Sequence, residues 1–266
     1  MTKYFHLFAL FISCGILSAQ ELIPPETKKI PSTQVVHGDT LTDNYYWLRD
    51  KFAPEVINHL YEENTYAGNV MKSSTFLQKV LYEEFKSRHK EGYSTRPTKY
   101  RGYLYYTRIE KDQDYAISCR KKDSLNAPEQ VVLDLNKLAD GMTHLQLGGS
   151  HISPDQHLLY YGIDNKGNRV NNYYLKNIET DSVYKTDELK NVMSLIWAED
   201  NKTVYYTKPE EKTLRQYRVY KHVLGTNPDT DVLIFEEANK TMNVGIATST
   251  SKEYIFIGVS KTKSTE

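Results

Sequence analysis

The sequence has 266 residues, 39% hydrophobic and 26% charged, an ordinary globular composition that predicts one or two domains with a buried core. Its 34 basic and 34 acidic side chains cancel, leaving no electrostatic footprint for nucleic acid or for an anionic membrane surface. Neither is expected as a partner.

Lys3, then an apolar run from Phe5 to Leu17, then Ser18-Ala19-Gln20, read as a secretory signal peptide over residues 1–20. Export to the periplasm or the extracellular space follows from that reading. The run is shorter than the roughly 20 residues a bilayer demands, so no stable membrane anchor is expected. Cys14 belongs to the discarded segment, because Phe11-Ile12-Ser13 is a poor lipobox. Cys119 is then the one cysteine of the mature chain, and no internal disulfide forms. Tyr115 to Arg120 alternates like a strand, which makes Cys119 a packing residue rather than a reactive thiol.

Residues 21–92 read as an extended and helical segment. Pro24 to Thr33 is rich in Pro, Lys and Thr without periodicity, an extended lead-in. Two amphipathic helices follow, around Pro54–Asn69 and Ser74–Arg88, from the i, i+4 spacing of Val56/Leu60 and Leu77/Leu81/Phe85. Pro54 suits a first helical turn.

From residue 93 to 266 the period falls to 2, and short runs of Tyr, Val, Ile and Thr are separated by Gly, Asn, Asp and Pro. The stretch repeats. Leu104-Tyr105-Tyr106, Leu159-Tyr160-Tyr161, Val204-Tyr205-Tyr206 and Tyr254-Ile255-Phe256 are strand cores, spaced 45 to 55 residues apart. Ser153-Pro154-Asp155, Ala198-Glu199-Asp200 and Ser249-Thr250-Ser251 are turns ahead of the last three. About four strands per unit at this period is the signature of propeller blades, each sheet burying its faces on its neighbours. The fold class expected is mainly β, an incomplete β-propeller. Blades are placed at about 94–142, 143–190 and 191–240, with two strands of a fourth before the sequence stops.

Chemistry is harder to find. No two glycines are four apart, so there is no Gly-x-Ser-x-Gly nucleophile turn, and none are two apart, so there is no Gly-x-Gly-x-x-Gly phosphate loop. Cys-x-x-Cys and His-Glu-x-x-His are missing as well. His144, His151 and His157 cluster in sequence without a carboxylate pattern and are not expected to hold a metal. Asp164-Asn165-Lys166-Gly167-Asn168 has the flavour of a calcium loop but lacks its length and final Glu, so it reads as a turn between strands. Glu62, Glu63, Glu83 and Glu84 lie on the helices as adjacent pairs that point apart, a solvated face. No catalytic, cofactor-binding or metal residue is assigned, and no cofactor is expected.

Several motifs nevertheless carry a resemblance. His37-Gly38-Asp39, then Asp43-Asn44-Tyr45-Tyr46-Trp47-Leu48-Arg49-Asp50, resembles the opening signature of the prolyl oligopeptidase family of serine peptidases. Arg49, standing where the prolyl-specific branch typically has Glu, points to oligopeptidase B (protease II). Tyr103–Arg108, Val132–Asn136, Ser153–Asp155 and Tyr217–His222 agree in order, and the similarity spans about residues 24–266. The resemblance implies a seven-bladed propeller, of which about three and a half blades are present, capping an α/β-hydrolase domain on which residues 21–92 pack. It also implies hydrolysis of short peptides after Arg or Lys. The Ser, Asp and His triad of the family follows the propeller, so no position here inherits it and the chain alone is expected to be inactive. Short peptides with basic residues and the C-terminal hydrolase domain are the implied partners. A prolyl-specific peptidase of the same family is the alternative within the class. A non-catalytic exported propeller that binds peptides or surface partners is the alternative outside it.

Overall fold

Val35-Val36 and Thr40-Leu41 flank His37-Gly38, and that dipeptide makes a two-residue loop. Backbone φ is 53° at His37 and 91° at Gly38, the left-handed region that a tight hairpin requires and that glycine enters without steric cost. β1 (Ser32–Val36) and β2 (Asp39–Asp43) therefore pair antiparallel, with Val36 opposite Asp39. The computed structural model describes residues 22–261 and the backbone of 264 and 265. The expected signal peptide, with Cys14, lies outside the described residues. The expected extended lead-in, 24–33, is corrected at its end, since the hairpin already begins at Ser32.

The chain separates into two units, one up to His89 and one from Lys90. In the first, a 3-10 turn (Tyr46–Arg49) leads to α1 (Pro54–Met71), with Pro54 in the first turn as expected, and to α2 (Thr75–Arg88). The lead-in is pinned by side chains. Trp47 donates Nε1–H to Lys28 O at 2.9 Å, and its ring stands 5.9 Å from His59. His59 meets Thr27 at 3.2 Å, and Lys28 pairs with Glu55 at 2.8 Å. The Asp43–Asp50 motif thus has a local job: Asp43 caps the turn by accepting Tyr45 N–H, and Trp47 holds the lead-in to α1. The apolar stripes exist but lie uncovered, for Val56 is the one buried residue of α1 and α2 has none.

From Lys90 the chain is almost entirely antiparallel sheet. Blade 1 comprises β3 (Tyr93–Ser94), β4 (Thr98–Tyr100), β5 (Tyr103–Ile109), β6 (Ile117–Lys122) and β7 (Glu129–Asp134), with β3 and β4 both pairing β5. A short helix, α3 (Leu135–Ala139), starts where the Asp134 carboxylate accepts the N–H groups of Asn136 and Lys137. Blade 2 is β8 (Gln146–Ile152), β9 (Leu158–Asp164), β10 (Asn171–Asn177) and β11 (Val183–Val192). Blade 3 is β12 (Ser194–Trp197), β13 (Thr203–Pro209), β14 (Gln216–Val223) and β15 (Val232–Glu236). Blade 4 holds β16 (Asn243–Thr248), β17 (Ile255–Lys261) and β18 (Ser264–Thr265). It therefore has three strands where two were expected, because Ser264 and Thr265 pair back on Lys261 and Ser260. The sheets do not close into a ring among the described residues. The fold is a partial propeller, as the sequence predicts.

The repeated Tyr-Tyr pairs now have a physical reason. Adjacent strand residues point to opposite faces. Tyr160 accordingly joins Leu195, Val204 and Tyr206 between blades 2 and 3, while Tyr161 joins Val132, Leu133 and Leu145 between blades 1 and 2. The Tyr160-Tyr161 dyad thus serves both neighbours of blade 2. Burying one such side chain contributes roughly 1.5–3 kcal/mol. Close approach also matters: a Cβ on Gly162 would lie 2.5 Å from the Tyr173 ring, so only glycine lets that ring lie flat on β9.

Candidate functional site

The turns β4–β5, β8–β9, β12–β13 and β16–β17 converge on one end of the blades. β12 lies beside both β8 and β16, so these first strands form the inner edge around which the sheets fan. At that edge a cavity of about 150 Å³ is bordered by Tyr100 of blade 1, Pro154 of blade 2, Trp197 and Glu199 of blade 3, and Thr248 and Lys252 of blade 4. It is the place where all four described blades meet.

The Ser153-Pro154-Asp155-Gln156 turn organises this mouth. Ser153 is fully buried and its Oγ accepts Leu158 N–H at 2.9 Å, while Asp155 Oδ1 accepts His157 N–H at 3.1 Å. Blade 3 holds the turn through Asn201 Oδ1, which accepts Asp155 N–H at 2.8 Å. Blade 1 holds it with two arginines. Arg120 is fully buried: it donates to Gln156 O and, at 2.8 Å, to Gln130 Oε1, and it stacks 4.1 Å from the Tyr103 ring. Tyr105 OH donates to Gln156 Oε1 at 2.8 Å, and burial raises its phenol pKa against the pull of Arg120. Arg101 donates to Pro154 O at 3.0 Å and to both carboxylate oxygens of Glu199 at 2.8 Å. The bond to Glu199 is the main reason its guanidinium is held above the ordinary arginine value. Trp197 Nε1 donates to His151 O at 2.8 Å, joining blades 2 and 3 on the inner edge.

A second buried polar group lies further out between blades 2 and 3. His222, fully buried on β14, stands 2.8 Å by Nδ1 from Asp231 Oδ1 and 3.2 Å by Nε2 from Asp187 Oδ1 on β11. Tyr206 OH donates to Asp231 Oδ2 at 2.8 Å, and Gly225 N–H to Asp187 Oδ1 at 2.6 Å. Burial, then the bond to Asp231, pushes the Tyr206 phenol up. With a carboxylate on each ring nitrogen, His222 has no nitrogen left for a substrate proton. The group is a clip between blades rather than an acid–base centre.

The residues weighed in the sequence fall outside any such chemistry. Cys119 is buried on β6, and its thiol is pushed up by burial, the opposite of an activated nucleophile. His151 packs 5.9 Å from Tyr173, with burial lowering its pKa, and His157 pairs with Glu179 at 3.1 Å. Among the described residues no His, Cys, Asp and Glu group is arranged to hold a metal. The Asp164 loop is a turn between β9 and β10. Burial acts to raise the Asp164 carboxyl, but the N–H groups of Lys166, Arg169 and Gly167 at 2.7–2.9 Å prevail and hold it below the ordinary value. Glu63 lies 3.8 Å from His59, and Glu84 pairs with Arg88 on the helix surface. Among the described residues no helix is long and apolar enough to cross a membrane. Arg101, Glu199, Arg120 and the His222 group escape sequence reasoning. Arg101-Gly102, a turn-forming dipeptide between Tyr100 and Tyr103, and the Ala198-Glu199-Asp200 turn leave local traces of position but none of pairing.

Residues 24–266 match the family described as "Prolyl oligopeptidase, N-terminal beta-propeller domain". The chain belongs to the prolyl oligopeptidase family. Within that family of serine peptidases, it is 32% identical over 93% of its length to dipeptidyl aminopeptidase BI of Pseudoxanthomonas mexicana, covering 37% of that protein. It is also 32% identical over 88% of its length to protease 2 of Moraxella lacunata, covering 35% of it. Among solved structures, oligopeptidase B from Leishmania major superposes with a TM-score of 0.81 at 27% identity, over 90% of this chain and 36% of that one. The chain thus spans little more than a third of the prolyl oligopeptidase relatives it matches, and the part it matches is their N-terminal propeller. The resemblance drawn from the Asp43–Asp50 motif and the stretches after it, Tyr103–Arg108 to Tyr217–His222, is borne out at the level of this family and its protease 2 and oligopeptidase B members.

Proposed function

We propose that this chain is the N-terminal gating part of an exported serine-type oligopeptidase that hydrolyses short peptides after Arg or Lys. The observation that carries the reading is the propeller family match over residues 24–266. Arg49 and the 32% identity to protease 2 favour the oligopeptidase B branch. In this reading an α/β-hydrolase domain outside the 266 residues supplies a serine nucleophile activated by His, with an oxyanion hole for the tetrahedral intermediate, and water completes acyl transfer. The exposed stripe of Phe76, Leu77, Leu81 and Phe85 on α2 is the kind of apolar surface that such a domain covers. The blades admit short, basic peptides and exclude folded proteins. Residues 1–20 direct export to the periplasm or beyond, with no stable anchor and no nucleic-acid partner.

The test is to read the frame beyond the codon for Glu266 and to assay its product on blocked Arg-, Lys- and Pro-p-nitroanilides. A downstream Gly-x-Ser-x-Gly and fastest turnover after Arg or Lys are expected. Faster cleavage after Pro would replace the specificity with the prolyl one, and a frame without hydrolase sequence would leave a non-catalytic binding propeller. The relative named dipeptidyl aminopeptidase BI favours a second reading, removal of dipeptides from free N-termini. Turnover of unblocked dipeptidyl substrates well above that of their acetylated forms would select it.

A further inference from the structure

Arg101 occupies the first position of the two-residue loop between β4 and β5, with φ of 45°, a region that non-glycine residues enter at a steric cost. That backbone carries its side chain away from its own blade. Nη1 donates to Pro154 O at 3.0 Å in blade 2, and Nη2 meets both oxygens of Glu199 at 2.8 Å in blade 3. The guanidinium carbon lies 5.6 Å from the centre of the Tyr100 ring. A carboxylate, a carbonyl and an aromatic face are the partners a planar guanidinium takes. Tyr100, Pro154 and Glu199 border the axial cavity, whose lining cation, Lys252, reaches Thr248 Oγ1 at 3.3 Å. The ion pair is only partly shielded, with side-chain exposures of 30% for Arg101 and 43% for Glu199. Solvent reaches the pair, so an outside guanidinium can compete with Arg101 for the same acceptors.

We propose that Tyr100, Pro154 O and Glu199 form a guanidinium subsite at the axial mouth, filled here by Arg101, and that the arginine side chain of an incoming peptide displaces Arg101 from it. The source of the ligand rests on the gating function proposed above; the subsite does not. An Arg-bearing peptide would then loosen the Arg101–Glu199 contact that ties the blade 1 turn to blade 3 while it docks.

Trp197 borders the same cavity and is one of two tryptophans, so its fluorescence reports occupancy. The whole chain is titrated with N-acetyl-arginine amide, with the neutral isostere N-acetyl-citrulline amide as control. Arg101→Ala is expected to half-saturate at about one-fifth of the wild-type concentration, the gain from removing an internal competitor held by an exposed ion pair. Adding Glu199→Gln should abolish the response, and citrulline amide should give none. Arg101→Gln is measured in parallel in case the alanine variant loses its strand circular dichroism. Equal responses of wild type and both Arg101 variants, persistence in the Glu199→Gln background, or an equal response to citrulline amide would each overturn the subsite. Because the titration needs no turnover, an inactive full-length product would sink the gating function alone, whereas a flat titration beside intact Arg-peptidase activity would sink the subsite alone.

Discussion

The apolar residues of α2 and of β9 meet opposite fates. Phe76, Leu77 and Phe85 remain 80%, 57% and 69% exposed, whereas Leu159, Tyr160 and Tyr161 are 0%, 0% and 4% exposed. Both sets are periodic in sequence, at the helical and the strand spacing. Periodicity therefore reports that a face exists and says nothing about what lies on it. A repeated sheet brings its own cover, because the next copy of the motif is the neighbour. The helix has no such copy.

Substitutions sharpen that contrast. The largest effect is expected at the clip between blades 2 and 3: His222→Ala leaves Asp187 and Asp231 buried without their shared partner and should cost about 3–5 kcal/mol in urea denaturation. Leu195→Ala, in the cluster between the same blades, removes packing without stranding a charge and should cost about 3 kcal/mol. A cost below about 1 kcal/mol at either position would mean that the blades do not depend on each other as their contacts imply. A smaller, pH-dependent effect belongs to Asp164. Its folded carboxyl sits below the unfolded value, so its stabilisation is present at neutral pH and fades as pH falls below about 4, through the unfolded value and on toward the folded one. Asp164→Asn should flatten the urea midpoint against pH in that acid window and leave the slope near neutrality alone. Least of all is expected on the helix, where Leu77→Ala should change the stability of this chain by no more than about 0.5 kcal/mol. A loss above about 1 kcal/mol there would show that α2 is packed, and would break the comparison.

Most of the fold was legible because it is local. The Tyr-Tyr dyads mark β5, β9 and β13, Ser153-Pro154-Asp155 and Ala198-Glu199-Asp200 mark the turns before β9 and β13, and Pro54 marks the start of α1. The β1–β2 hairpin was missed although His37-Gly38 carries a two-residue turn signal, because the Pro- and Lys-rich lead-in runs into it without alternation. The mouth was not legible for a different reason. Arg101 and Glu199 are 98 residues apart, and His222 and Asp187 are 35 apart, so neither pair leaves a local pattern. Charged residues on strands read as solvent-facing, and the full burial of Arg120 and His222 reverses that expectation. Stacking creates these sites, and stacking is not written in any one repeat.

The clip also has a counterpart one blade earlier. Leu159 stands opposite Lys176 as Val204 stands opposite His222, so Lys176 and His222 hold the same position in successive third strands. Each reaches back to the outer strand of the blade before it, Lys176 to Val132 O on β7 at 3.1 Å and His222 to Asp187 on β11. β7 and β11, already laddered to the third strand of their own blade, thus gain this second tie only after three strands of the next blade have been made. In a chain that emerges N-terminus first, this second tie runs in one direction, one blade behind synthesis, and the newest outer strand is the one that lacks it.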